Sequence, residues 1–270
     1  MCDLIAYRSV LNENGSSTFS SLGMLAGDTQ SVARGTNGDG STIVGHSGVR
    51  AFRWHAGEGM VALEGPAGST LSAAWAVNTD GTVVVGHATT PSGDRAVRWT
   101  VAAESLGTPP VTESSRAFGV SGDGSIVVGT AAAGSGPIAI MWTAATGMVD
   151  LNTYLPTLGL NLENWRLTAA RRVSRDGTCI VGEGLHNGVD EGWIAHISLA
   201  CNLADIASIG GAGTPDGHLT VDDVVEFLSE FFAAQPPADV AIVGGARGRD
   251  GQYTADDVIL FLSRFFLDCD

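Results

Sequence analysis

The sequence predicts a mainly β fold: a small β-propeller of four to five blades, built from repeats of about 40 residues, followed by a small α-helical C-terminal domain. Three observations carry that expectation. DGSTIVG, DGTVVVG, DGSIVVG and DGTCIVG print one pattern four times, the mark of a repeat architecture. The prints begin at residues 39, 80, 123 and 176, spacings of 41, 43 and 53 residues, room for the four short strands of a propeller blade. Residues 204–233 then recur as 238–267, a duplication of another kind. The repeat domain is therefore placed at 1–199 and the duplicated module at 200–270.

The elements follow in chain order. Residues 1–27 read as the later half of a unit, because IAYRS and SSLGML match the RAFRW and GMVAL segments of the next one. This first unit is incomplete, and its earlier part is expected to lie upstream of the chain given. Each print is a hairpin in outline. Asp-Gly is a tight-turn pair, and Asn37, Asn78, Ser121 and Ser174, two residues upstream of each Asp, can hydrogen-bond the local backbone to prime the turn. Val44, Val85, Val128 and Val181 lie two residues beyond Thr42, Val83, Ile126 and Cys179, so each pair shares one strand face and Cys179 is expected to be buried. RAFRW (50–54), RAVRW (95–99) and IAIMW (138–142) supply a third strand. GWIAH (192–196) departs, with Trp193 in the place of Phe52, Val97 and Ile140, and Ala195 in the tryptophan place. The chain enters with later strands and leaves the repeats after earlier ones, so the two ends are expected to build one shared blade and remove exposed edges. A β-solenoid or part of a larger propeller satisfies the same spacing.

Composition narrows the function. Fourteen basic residues against twenty-nine acidic ones give a net charge of −15, which supplies no basic stripe for nucleic acid. The acidic excess suits solubility or divalent cations. No apolar run reaches the length of a membrane span, and MCDLIAYRSV lacks the regions of a signal peptide.

The duplicated module carries a loop and a helix in each copy. Thr220 with Asp223, and Thr254 with Asp257, form capping boxes with Asp in the Glu place. Val224, Phe227, Leu228 and Phe231 then follow at helical spacing, as do Val258, Phe261, Leu262 and Phe265. The loops offer oxygen ligands to a hard cation: Asp216, the His218 carbonyl, Thr220 and Asp223 in the first, Asp250, the Gln252 carbonyl, Thr254 and Asp257 in the second. The early ligand positions fall on Ala212 and Thr214, and on Ala246 and Gly248, so Asp205 and Asp239 are the nearest further carboxylates. Two calcium sites are expected. Cys201 and Cys269 bracket the module as a terminal disulfide would, against the alternative of two unpaired thiols.

On these motifs residues 201–270 resemble the dockerin-like modules of planctomycete-type secreted proteins, with their ADxA, PDGxLTxDD and FLxxFF segments and flanking cysteines. The repeats resemble the HAF-type extracellular repeat family, whose pattern AxxVSxDGxxIVG closes with GMxxL; LNTYLPTLGLNLENWRLTAARRVSRDGTCIVGEG matches its longer final repeat. The resemblance implies an extracellular or cell-surface location and anchoring to a cohesin-like protein partner or surface component rather than catalysis.

Scattered singles are the remaining candidates. His46 and His87 follow the motif glycine in adjacent units and can share a rim. Glu183, Asp190 and Glu191 are the acids from which a glycosidase pair would be drawn. Trp54, Trp99 and Trp142 recur at one position per unit, as inter-blade packing does, whereas Trp75 and Trp165 lie outside it and are the ligand candidates. Asp39, Asp80, Asp123 and Asp176 are accounted for by turn formation. The expectation is a secreted, non-catalytic binding or scaffold protein ordered by calcium; the alternative is a carbohydrate-binding protein or a carbohydrate-active enzyme of glycoside hydrolase type, acting on polysaccharide at the propeller face.

Overall fold

The computed structural model describes residues 4–11, 15–197, 227–229, 241–242, 246–247 and 258. The chain divides into two compact units, Met1–Ile197 and Ser198–Asp270. Cys201, Cys269 and every expected metal ligand from Asp205 to Asp257 lie outside the described residues. In the second unit residues 227–229 and 258 are helical and Phe227 is buried.

The first unit is a succession of antiparallel meanders. β1 (Ala6–Leu11) and β2 (Ser17–Gly23) form a two-stranded sheet. Three four-stranded sheets follow. The first holds β3 (Ser31–Thr36), β4 (Thr42–Ser47), β5 (Arg50–His55) and β6 (Gly59–Ala62); the second holds β7 (Leu71–Val77), β8 (Val84–Thr90), β9 (Gly93–Trp99) and β10 (Ala103–Ser105). The third holds β11 (Thr112–Val120), β12 (Val127–Ala133), β13 (Gly136–Thr143) and β14 (Gly147–Asp150). After helix α1 (Leu151–Thr157) comes a three-stranded sheet of β15 (Trp165–Val173), β16 (Cys179–His186) and β17 (Val189–His196). β18 (Ala241–Ile242) and β19 (Ala246–Arg247) are a short ladder of the second unit.

The Asp-Gly turns form as their chemistry dictates. Asn37 and Asn78 accept the N–H of Thr42 and Val83 through Oδ1, and Ser121 and Ser174 accept those of Ile126 and Cys179 through Oγ. Each aspartate accepts the N–H two residues on, and the glycines after Asp39, Asp80, Asp123 and Asp176 have φ between +72° and +82°, a conformation glycine alone adopts freely.

A bulge sits beside each motif glycine. The first and second strands shift register between Ala33 and Gly35, Ala74 and Ala76, Ala117 and Gly119, and Ala170 and Arg172. The bulge turns a carbonyl toward the opposite strand, so a Cβ on Gly45, Gly86, Gly129 or Gly182 would stand 1.9–2.0 Å from the oxygen of Val32, Ala73, Arg116 or Ala169. Glycine in IVG and VVG is a steric demand of the bulge.

Successive sheets stack. β7 packs on β3, β4 and β5; β11 packs on β7, β8 and β9; β15 packs on β11, β12 and β13. Buried serines clamp the stack: the N–H groups of Ala6, Ala51 and Ala96 donate to Ser31, Ser72 and Ser115 Oγ at 2.9–3.0 Å. The repeated tryptophans fill the gaps between sheets. Trp99 packs with Val44 and Ala51 of the preceding sheet, and Trp142 with Val83, Val85 and Ala96.

Two expectations need correction. The two ends of the repeat region do not share a sheet: β1–β2 and β15–β17 remain separate, because β17 already holds the third-strand place that β1 would need. Cys179 is half-exposed rather than buried, its Sγ 3.0 Å from His196 Nδ1. Val181 is 38% exposed where Val44 and Val85 are fully buried, since no later sheet among the described residues covers that face. The long spacing before the fourth print holds α1. Asp150 caps it by accepting the Asn152 N–H, and Asn152 ties it to β15 through both the N–H and the carbonyl of Leu167.

Candidate functional site

The four bulges place one side chain each, Arg34, Trp75, Phe118 and Arg171, in a single row. The Arg34 guanidinium lies 4.4 Å from the Trp75 ring, Trp75 meets Phe118 edge-on at 5.5 Å, and the Arg171 guanidinium lies 4.8 Å from the Phe118 ring. Re-aiming a side chain is what a bulge does, and two aromatics meeting edge to face, with a cation over each outer ring, make each contact attractive. The arginines at the two ends are exposed, Trp75 is half-buried and Phe118 is buried.

The residues after the motif glycines stand behind the row. Trp75 Nε1–H donates to His87 Nδ1 at 3.1 Å, which leaves the imidazole proton on Nε2. His87 is buried, and burial, with the Arg116 charge adding to it and Asp94 opposing, lowers its pKa to about 4. His46 is lowered as well, by burial first and then by the Arg34 charge, and its buried Nδ1 has no partner among the described residues. Glu183, in the matching place of the last sheet, pairs with Arg171. Thr130 takes that place in the third sheet and donates to the carbonyl of Thr168. Arg116 Nε donates to Asp94 at 2.6 Å; burial works against the Asp94 carboxylate, but hydrogen bonds from Thr89 and Arg116 hold its pKa below the usual range.

The four Asp-Gly turns, one from each of the same sheets, are linked as well. Gly38 N–H donates to Thr79 O, Thr79 N–H to Gly122 O, and Gly122 N–H to Arg175 O. The Arg175 guanidinium reaches back to within 2.7 Å of where a Gly38 Cβ would be, so the fourth turn lies against the first.

Of the residues singled out in the sequence, Trp75 joins the row, with Arg34 over its ring and the edge of Phe118 against it. Trp165 sits apart in the last sheet, stacked on His186 at 4.6 Å, while His186 Nδ1 lies 3.3 Å from Glu191. His46 and His87 share the space behind the row. Glu183 and Glu191 are each drawn into a different pair, with Arg171 and His186. Hydrogen bonds from Ser41, Thr82 and Ser174 lower the pKa of Asp39, Asp80 and Asp176, and Asp123 is lowered against burial by Ser121. Among the described residues no cluster of three His, Cys, Asp or Glu is arranged to hold a metal, and no helix is long and apolar enough to cross a membrane. Sequence reading missed Arg34, Phe118 and Arg171. The available signal was phase: each follows the repeat alanine, where the surrounding pattern calls for small residues.

The fold and this row define a mainly β repeat protein of stacked antiparallel sheets. No family model matches the chain, and no curated protein does. Among solved structures it is similar to a putative TolB from Agrobacterium tumefaciens, at 12% identity and TM-score 0.48, covering 66% of this chain and 62% of that one. It is similar also to TolB from Acinetobacter baumannii, at 13% identity and TM-score 0.48, covering 72% of this chain and 47% of that one. The chain thus spans less than two thirds of the length of either.

Proposed function

We propose that the protein is a secreted, non-catalytic binding scaffold: a β-propeller of four to five blades whose C-terminal dockerin-like module anchors it to a cohesin-like partner or a surface component. The linked turns and the regular stacking of each sheet on the next support the propeller reading. The observation that carries the functional reading is the row itself. Arg171 pairs with Glu183, Arg116 beside the row pairs with Asp94, and Arg34 lies over the Trp75 ring, an arrangement that supports a rigid recognition surface rather than a proton-transfer pair.

Calcium at two sites in the duplicated loops would order the anchor. Asp205, Asp216, the His218 carbonyl, Thr220 and Asp223 would supply one set, and Asp239, Asp250, the Gln252 carbonyl, Thr254 and Asp257 the other. Calorimetric titration of the whole chain with calcium tests this. Two saturable sites are expected, one lost in Asp223→Ala and the other in Asp257→Ala; a flat titration of the unaltered chain contradicts the calcium-ordered anchor.

A further inference from the structure

The loops that lead into β3, β7, β11 and β15 share one turn. The N–H groups of Asp28, Ser69, Thr112 and Trp165 each donate to the carbonyl three residues back, of Leu25, Pro66, Pro109 and Leu162, at 3.0–3.3 Å. The residue before each donor has positive φ: Gly27 at +86°, Gly68 at +81°, Val111 at +60° and Asn164 at +62°. That place in a type II turn favours glycine or asparagine, and valine there forces a β-branched side chain into the left-handed region. Val111 is also 95% exposed, so no packing among the described residues offsets the strain.

The unit before it supplies the complement. Gly68 holds the same turn position one sheet earlier, and a Cβ built on it meets nothing within 4 Å, so a side chain at this position projects outward. Around Gly68 lies a groove of about 270 Å³ walled by Val49, Leu63, Pro66, Ala67 and Leu71. Val49 and Leu71 are exposed apolar residues on that wall. Val111, with exposed Pro110 beside it, stands out from the corresponding turn as a knob. Both turns lie at the same end of their sheets. Ser72 N–H, beyond the first turn, donates to the Val49 carbonyl between β4 and β5, and Arg95, beside the β8–β9 turn, donates to the Glu113 carbonyl beyond the second.

Knob and groove therefore sit one repeat apart on a single face. A two-fold axis between them sets each valine over the glycine of the other copy, so one rotation seats both knobs and closes the contact at two chains. We propose that this face is a self-association surface, on which the Pro110–Val111 knob of each of two copies occupies the Gly68 groove of the other. A strained backbone that holds an apolar side chain out in water has a physical reason once that side chain is buried in the second copy.

Sedimentation velocity of the whole protein over a concentration series reads the association, and a concentration-dependent dimer is expected. Val111→Asn should weaken it about tenfold or more by removing the buried apolar side chain. The same variant should raise the unfolding midpoint at a dilution where both proteins are monomeric, since asparagine tolerates the turn as Asn164 does. Ala67→Arg obstructs the groove and should weaken the dimer with its midpoint unchanged. Mixing the two variants should give a dimer tighter than either forms alone, because the Ala67→Arg copy keeps its knob and the Val111→Asn copy keeps its groove. A monomer at every concentration overturns the proposal. So does a Val111→Asn protein that associates as tightly as the parent, a midpoint that does not rise, or a mixture no tighter than its components. Calcium does not enter this contact, so the calcium titration and the association measurement fail independently.

Discussion

The second sheet and the last one carry the same print and bury it differently. Val85 is fully buried among Ala117, Val127 and Trp142, all three contributed by the sheet that follows; Val181, in the matching position, is 38% exposed. Both strands keep the Asp-Gly turn, the bulge and the glycine opposite it. Local chemistry makes the hairpin, and the next sheet makes the core. The same division separates Met141 on β13, which is fully buried, from Ile194 on β17, which holds the matching place and is 61% exposed.

That comparison breaks most severely at the bulge, which every print shares. Gly86→Val would drive a side chain into the Ala73 carbonyl, 2.0 Å from the ideal Cβ. A loss of about 4 kcal/mol or more is expected, at the diagnostic end of point-mutation effects. Chemical denaturation measures it, and a loss close to that of an ordinary surface substitution would remove the steric account of the motif.

The histidine behind the row sharpens the contrast, since the last sheet has Glu183 in its place. His87 is held neutral, its pKa lowered from 6.5 to about 4. A folded-state pKa below the unfolded one means the unfolded chain binds the proton first. Its contribution is therefore complete above about pH 6.5, falls as pH drops from 6.5 toward 4, and levels off below. The total is roughly 3 kcal/mol at most. His87→Gln, which keeps an acceptor for Trp75 Nε1, should flatten that part of the stability curve. A curve of unchanged slope in the variant would assign the dependence elsewhere.

The turns were readable because Asp-Gly and the Asn or Ser before it act within six residues; nothing distant is needed to form them. Phe118 and Arg171 were unreadable for the opposite reason. A bulge is a relation between two strands, and one strand's pattern shows an odd residue without saying where it will point. Ser31, Ser72 and Ser115 carry no signal in the sequence, because their role is to hold the N–H of another sheet. Cys179 misled by analogy: its equivalents Thr42 and Val83 are buried by neighbours that the last sheet does not have. The tryptophan row at 54, 99 and 142 was legible as packing since the repeat itself supplies the partner at fixed spacing. The duplicated module's ligands fall outside the described residues, and their reading rests on spacing alone.

The most direct test of the claim that neighbours, not the print, set the core is a matched pair of substitutions, Val85→Ala and Val181→Ala, compared by equilibrium unfolding. Deleting two buried methyl groups at residue 85 should cost about 2 kcal/mol, and the same change at residue 181 about 0.5 kcal/mol. Equal losses at the two positions would contradict the account, because they would mean that the print carries its stability within each hairpin.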